Sequence, residues 1–117
     1  MNTFAKKTVV GVFTTALLTI SLSALMSTPE VHAFQSVKSL YTSKCAVCHG
    51  NDGKGATAKG KELKVRPLQD PEFKKMTDAK ALEIMLKGKG KMEGYEKTLG
   101  KEKVQQLLAY CRELSNK

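Results

Sequence analysis

Residues 45–49 read Cys-Ala-Val-Cys-His, and this short motif constrains the fold more than any other part of the 117-residue chain. Positions three apart share a face in a helical turn, so the thiols of Cys45 and Cys48 can reach two vinyl groups of one porphyrin. His49 follows at once, and a neutral imidazole is a good axial ligand for iron. The motif is typical of covalent haem attachment, and it predicts one haem c held by two thioethers.

Two other uses of these thiols are alternatives to haem attachment. A thioredoxin-like dithiol has the same cysteine spacing, but no alternating β-branched run precedes Cys45 to supply the strand which that fold requires. A tetrahedral zinc site has four candidate ligands, namely Cys45, Cys48, His49 and Cys111. The adjacent side chains of Cys48 and His49 are difficult to direct at one metal, which favours haem over zinc.

The first 33 residues have the three regions of a secretory signal peptide. Two lysines precede a mostly apolar stretch over residues 9–25, and the small residues Val31 and Ala33 occupy the positions that a signal peptidase inspects. We expect cleavage after Ala33, which leaves one domain, residues 34–117, in the periplasm or another exported location. Threonines and serines interrupt the apolar stretch and make it a poor permanent span, although an uncleaved membrane anchor remains an alternative.

The exported domain is strongly basic. Removal of Lys6, Lys7 and Glu30 leaves 18 Lys and Arg against 10 Asp and Glu, a net charge of +8, which favours acidic redox partners. Nucleic acid is the rival partner, but export and the presence of only two arginines, Arg66 and Arg112, argue against it. Six lysines adjoin the haem motif or a later glycine-rich loop and could surround an exposed haem edge: Lys44, Lys54, Lys87, Lys89, Lys91 and Lys97.

Apolar residues at helical spacing predict three main helices and no strand, so the expected fold class is all-α. The first helix covers residues 34–44 and leads into the haem motif. The second begins after Thr77 and ends at Gly88. The third covers residues 101–115 and has an apolar stripe that includes Cys111, which favours a buried core position for that thiol.

The segments between these helices are expected to be mainly irregular. Three glycines in residues 50–55 break the helical pattern, and the lysine-rich segment after them is predicted to be a loop. Asp70 and Pro71 have the pattern of an N-cap followed by proline at the first helical position, and they predict a short helical turn around Phe73.

The second axial ligand must come from another residue type, because cleavage removes His32 and leaves His49 as the remaining histidine. The candidates are Met76, Met85 and Met92. Met85 lies on the apolar face of the second helix, where filling the core is the ordinary role. Met76 precedes that helix and remains an alternative ligand. Met92 lies in a loop whose glycines free the backbone to approach a flat ligand, and it is the preferred sixth ligand.

These motifs together resemble a class I c-type cytochrome. The Cys-x-x-Cys-His motif, the Gly-Lys-Gly-Lys-Met loop and the closing Leu-Leu-Ala-Tyr helix carry the resemblance, and Cys-His-Gly-x-x-Gly-x-Gly over residues 48–55 is similar to small single-haem cytochromes of bacteria. The resemblance covers residues 34–117. It implies a cytochrome c-like fold in which the first and last helices cross, with Tyr110 packed against Tyr41 or Leu40. It also implies a proline carbonyl that accepts the His49 N–H, for which Pro67 is the candidate.

The sequence departs from the family at two points. Glu93 follows Met92 where relatives commonly have proline, and its negative charge would favour oxidised haem and lower the midpoint potential. Tryptophan, which holds a haem propionate in some relatives, is absent. Arg66 and Tyr95 are the candidates for polar contacts to the haem.

Iron ligated by His49 and Met92 has no open position for a substrate, so the expected function is electron transfer rather than enzymatic turnover. If Met92 does not bind the iron, a five-coordinate haem could sense gases or react with peroxide. A metal or thiol module without haem is the remaining alternative.

Overall fold

The structure is a computed structural model, and it describes the backbone of residues 29–117 and the side chains from residue 33 onwards. Most of the predicted signal peptide lies outside the described residues, so its cleavage after Ala33 stays a prediction. Across the described range, no helix has the combined length and apolar character needed to cross a membrane.

Helices account for the regular structure of residues 29–117, which contain no strand beyond an isolated bridge between Lys89 and Met92, and the all-α prediction is confirmed. Six helices follow in chain order: α1 (Pro29–Lys44), α2 (Ala46–His49), α3 (Ala58–Leu63), α4 (Pro71–Lys75), α5 (Asp78–Lys87) and α6 (Glu96–Ser115).

The caps predicted from sequence are present at α4 and α5. The Asp70 carboxylate accepts a hydrogen bond from the Glu72 amide, and the Thr77 hydroxyl accepts one from the Lys80 amide. The α5 helix ends at Gly88, whose φ is 84°. The α6 helix begins earlier than predicted, but a break at Gly100 separates its first turn from the expected helix over residues 101–115.

The prediction of a lysine-rich loop after residue 55 is wrong, because α3 lies within it. The Thr57 hydroxyl accepts the Gly60 amide at the start of α3, and Lys64 adopts a left-handed conformation (φ 55°) at its end. The first helix also differs from its prediction, since α1 begins at Pro29 and passes through the predicted cleavage site.

The two ends of the domain pack together. The rings of Tyr41 in α1 and Tyr110 in α6 are 5.1 Å apart between centroids, and Phe34 contacts Tyr110 edge-on at 5.8 Å. This confirms the crossing of the first and last helices, with Tyr41 in the central position. The apolar stripe of α6 forms the centre of the core, and its members are Val104, Leu107, Leu108, Cys111 and Leu114. Packing of α5 against α6 completes the frame around one large cavity.

Candidate haem site

A cavity of about 830 Å³ opens beside α2, and its volume is within the range of cofactor sites in proteins. Both cysteines and the histidine of the predicted motif contribute to its walls, together with Met92 from the loop after α5. The structure therefore brings the four predicted site residues to one cavity. Met76 and Met85, the other candidate ligands, also line it.

Backbone hydrogen bonds form the helical turn of the attachment motif. The Cys45 amide donates to the Tyr41 carbonyl at 2.8 Å, which continues the direction of α1. The His49 amide donates to the Cys45 carbonyl at 2.9 Å. This turn places Cys45 and Cys48 on one face, as attachment to a single porphyrin requires.

Thr57 and Gly60 fix the far side of this turn. The Thr57 hydroxyl donates to the Val47 carbonyl at 2.8 Å, with the Cys48 carbonyl at 3.2 Å. A Cβ atom on Gly60 would overlap the carbonyl oxygens of Gly55 and Cys48, so the backbone of α3 lies directly against the motif. These two supporting residues were not predicted from the sequence, because their role depends on how α3 packs.

Burial of the attachment motif favours the uncharged forms of the Cys45 and His49 side chains. Burial raises the pKa of the Cys45 thiol to about 11, and the nearby Cys48 thiol adds to the shift. Burial also lowers the pKa of His49 and favours its neutral imidazole, which is the form that ligates iron. The His49 Nδ1 atom is buried and has no hydrogen-bond partner among the described residues. A histidine that binds iron through one ring nitrogen needs a hydrogen-bond acceptor for the other, and Nδ1 lacks one among these residues.

The predicted hydrogen bond from the His49 ring to the Pro67 carbonyl is not formed. The Pro67 carbonyl instead accepts the Asp70 amide at 3.1 Å, in the turn that leads into α4. Pro67 does line the cavity, so the resemblance placed this residue correctly but predicted the wrong hydrogen-bond donor for its carbonyl.

The Met92 loop is held by its own backbone. The Lys89 amide donates to the Met92 carbonyl at 2.9 Å, and the Met92 amide donates back to the Lys89 carbonyl at 3.0 Å. A Cβ atom on Gly88 would lie 2.7 Å from the Met92 carbonyl oxygen, and one on Gly94 would overlap the Leu86 carbonyl oxygen. These glycines therefore allow the loop to pack onto the end of α5, whereas their predicted role was to let the backbone approach a flat ligand.

The remaining candidates also adjoin the cavity. Arg66 and Tyr95, predicted as polar haem contacts, both line it. Arg66 pairs with Glu72, and the Tyr95 hydroxyl donates to the Lys44 carbonyl at 3.2 Å. Cys111 is 6% exposed, which confirms its predicted burial, and its thiol contributes to the cavity wall.

Apolar side chains complete the cavity, and most were not predicted because no local motif marks them. They come from the end of α3, the segment after it, α4 and α5: Leu63, Val65, Leu68, Phe73, Ala81 and Ile84.

The geometry does not support the two metal or thiol alternatives. Within the described part of the chain, no three His, Cys, Asp or Glu side chains are grouped so that they could hold a metal ion. A thioredoxin-like site lacks its sheet, since residues 29–117 form no strand.

Comparison with known proteins agrees with this geometry. The family model described as cytochrome C oxidase, cbb3-type, subunit III matches residues 32–111. The chain belongs to this family of cytochrome c domains. A solved structure, the KustC0563 c-type cytochrome, is similar to it at 30% identity with a TM-score of 0.60, over 66% of this chain and 94% of that one. No curated protein matches the sequence.

The cytochrome c-like fold is thereby established, and the chain is a c-type cytochrome. Membership of this family implies a covalently attached haem c and the role of an electron carrier rather than an enzyme. Cytochromes of this family are usually exported. The neutral histidine and the apolar walls of the cavity fit that cofactor.

Proposed function

We propose that this cytochrome is an exported single-haem electron carrier whose iron is ligated by His49 and Met92. The observation that carries the proposal is the shared cavity, because it places the attachment motif and the Met92 loop on the walls of one space. The predicted signal peptide and the usual location of the family support export.

The bound haem would supply an iron centre that accepts and releases one electron. Cys45 and Cys48 would hold it through thioethers, and His49 would provide one axial nitrogen. Met92 would provide a soft thioether, which stabilises the ferrous state and raises the midpoint potential. With His49 and Met92 both holding the iron, no site on it would be left for a substrate.

Close backbone contacts support both residues, which suits electron transfer. Thr57 and Gly60 fix the turn that ends at His49, and the tight contacts of Gly88 and Gly94 fix the loop of Met92. A site that keeps the same ligands in both oxidation states requires little rearrangement when the electron moves.

Absorption spectra of the matured protein in both redox states, with and without carbon monoxide, test this ligation. We expect covalent haem, a sulfur–iron absorption in the oxidised state and no reaction of the reduced protein with carbon monoxide. Met92→Leu should lose the sulfur–iron absorption and bind the gas, whereas Met85→Leu should behave like the wild type. Rapid binding by the wild type would instead establish a five-coordinate haem of the sensing or peroxide-reactive kind. A protein without haem absorbance would exclude a cytochrome function.

We also propose acidic redox partners. Three of the six predicted docking lysines line the cavity, namely Lys44, Lys89 and Lys91, and Lys64 joins them from the segment after α3. Lys54 and Lys97 do not line it, and Lys87 lies outside it and pairs with Glu83 at 3.4 Å. The positive charge at the opening is therefore smaller than predicted but includes both lysines that adjoin Met92 in the loop.

Two small reductants of opposite charge test this charge distribution. Reduction by the ferrous EDTA anion should slow as ionic strength rises, and reduction by the hexaammineruthenium(II) cation should accelerate. Lys89→Gln should weaken the ionic-strength dependence of both reduction rates more than Lys103→Gln does. The second substitution removes an exposed charge in α6. Equal effects of the two substitutions would contradict docking at the cavity.

A further inference from the structure

Arg112, near the end of α6, joins three parts of the fold. Its Nη1 donates to the Phe73 carbonyl and its Nη2 to the Met76 carbonyl, each at 2.5 Å. Its Nε donates to Asp78 Oδ1 at 3.0 Å, and Asp78 is the first residue of α5. The guanidinium carbon lies 4.4 Å from the centre of the Phe73 ring. One side chain thus binds the carbonyl end of α4, the start of α5 and an aromatic ring.

The α4 helix depends on these contacts for its position. It has five residues, and a helix of that length is not stable alone in water. At the end of α4 the Phe73 carbonyl accepts the Met76 amide at 3.2 Å, and the planar guanidinium of Arg112 adds a second donor to that carbonyl while it binds the Met76 carbonyl. The Arg112 side chain is 22% exposed, and hydrogen bonds from a largely buried cation are stronger than neutral ones.

The position of α4 matters because Phe73 and Met76 line the same cavity as Met92. Met76 and Met92 present the same thioether, so the choice between them as iron ligand must come from the placement of the backbone. The tight contacts of Gly88 and Gly94 place the Met92 loop. The backbone of Met76 is held by Arg112.

We propose that Arg112 is a positioning residue that keeps Met76 in the cavity wall and thereby reserves the iron for Met92. This inference rests on the proposed ligation by Met92. It requires that loss of the two carbonyl contacts frees Met76 to compete for the iron, although Arg112 itself does not touch the ligand.

The test is proton–carbon NMR of the reduced holoprotein labelled at the methionine methyl carbons. A methyl group bound at the iron lies over the porphyrin and is shifted far from the others by the ring current. We expect one such methyl in the wild type and, in Arg112→Met, a second one that comes from Met76 and not from the introduced methionine. Adding Met76→Leu to Arg112→Met should remove the second methyl, a rescue that a general loss of stability would not produce. A single unchanged shifted methyl in Arg112→Met overturns the proposal.

Two further variants separate the contacts of Arg112 from its charge. Lys103→Met removes the same charge from an exposed position of α6 and should leave one shifted methyl. Arg112→Lys keeps the charge but cannot bind both carbonyls in a forked arrangement, so it should also show the second methyl. A spectrum of Arg112→Lys with one shifted methyl, as in the wild type, contradicts the proposal. If Arg112→Met fails to hold haem, Arg112→Lys alone tests the positioning role.

Hydrogen exchange gives an independent measurement. The amides of residues 73–76 should exchange about ten- to a hundredfold faster in Arg112→Lys than in the wild type, with the amides of α6 unchanged. Met92→Leu separates this inference from the proposed function. If its shifted methyl persists, ligation by Met92 is wrong; if the methyl is lost while the Arg112 variants remain unchanged, the role of Arg112 alone is wrong.

Discussion

The Tyr41 hydroxyl donates a buried hydrogen bond of 2.9 Å to the carbonyl of Gly50, the residue directly after His49. The Gly50 carbonyl also accepts the Gly53 amide at 3.1 Å. Tyr41 is 1% exposed, and burial raises the pKa of its hydroxyl far above the usual range. The neutral hydroxyl therefore links the first helix to the end of the attachment motif.

Tyr41→Phe should lower the free energy of unfolding by about 1 kcal/mol, because it removes one hydrogen bond while the Gly50 carbonyl keeps the other. Denaturant titration of the holoprotein measures the change. Tyr110→Phe is the matched control, since the Tyr110 hydroxyl makes no hydrogen bond to any residue that the structure describes, and it should change the stability little. Equal losses in the two variants would show that the Gly50 contact is not the cause.

Gly60→Ala should destabilise the fold by about 1–3 kcal/mol and reduce the yield of haem-loaded protein. The added Cβ would meet the carbonyls of Gly55 and Cys48, and backbone atoms at that depth cannot move aside cheaply. Helix propensity alone would make alanine more stable than glycine here, so a loss of stability in Gly60→Ala can be attributed to the close contact. Lys61→Ala, at an exposed position of α3, should leave stability and yield near those of the wild type.

Cys111 should resist alkylation in the folded protein at pH 8. It is 6% exposed, and burial raises the pKa of its thiol to about 12, so little thiolate is available. Mass spectrometry after treatment with iodoacetamide should show no added group in the native holoprotein and one after unfolding. Three added groups after unfolding would mean that Cys45 and Cys48 carry no thioether, and labelling of the native protein would place Cys111 outside the core.

The same thiol should make stability fall in alkaline solution. Its pKa is 9.0 in the unfolded chain and about 12 in the folded protein, so above pH 9 the unfolded chain loses this proton first. The unfolded state is then favoured, and the loss reaches about 1.4 kcal/mol per pH unit at most. Between pH 9 and 10, denaturant titration should show about 1 kcal/mol less loss in Cys111→Ala than in the wild type. If the free energy of unfolding falls equally with pH in the two proteins, the Cys111 thiol is not the cause of the alkaline loss.

Glu93→Gln should raise the midpoint potential by an amount on the order of 20 mV, as expected when one unit charge about 10 Å away is removed in largely aqueous surroundings. Glu93 is exposed and lines the cavity, so its charge favours the oxidised haem. Potentiometric titration measures the shift. Glu96→Gln removes a similar charge from the start of α6, away from the cavity, and should have a smaller effect. A potential that stays constant or falls in Glu93→Gln would refute this effect.

Local signals in the sequence predicted most of the main helices. Asp70 and Thr77 are capping residues whose hydrogen bonds involve amides two or three positions away, so the starts of α4 and α5 could be predicted without tertiary information. The stripe of α6 and the Tyr41–Tyr110 contact followed from periodicity and resemblance. The α3 helix could not be predicted in this way, since Gly60 gains its importance only by lying against the carbonyl of Cys48.

The predicted attachment residues and Met92 share one cavity because their motifs are short and chemically specific. The support of that cavity was not predictable on the same basis. Arg112 binds groups 34 to 39 residues earlier in the chain, and no local sequence pattern predicts partners so far away. The Pro67 contact failed for a related reason, because the carbonyl's partner is decided by the turn into α4 rather than by the presence of proline.

The packing of α1 against α6 has a consequence for the order of assembly. A chain that emerges from the ribosome or crosses a membrane from its first residue onwards cannot make the Tyr41–Tyr110 contact until α6 has followed. Cys45 and Cys48 lie next to α1 and emerge well before that contact can form. The core therefore closes only after both thiols have emerged, and for haem attachment through them the position of the final helix would set the length of that interval.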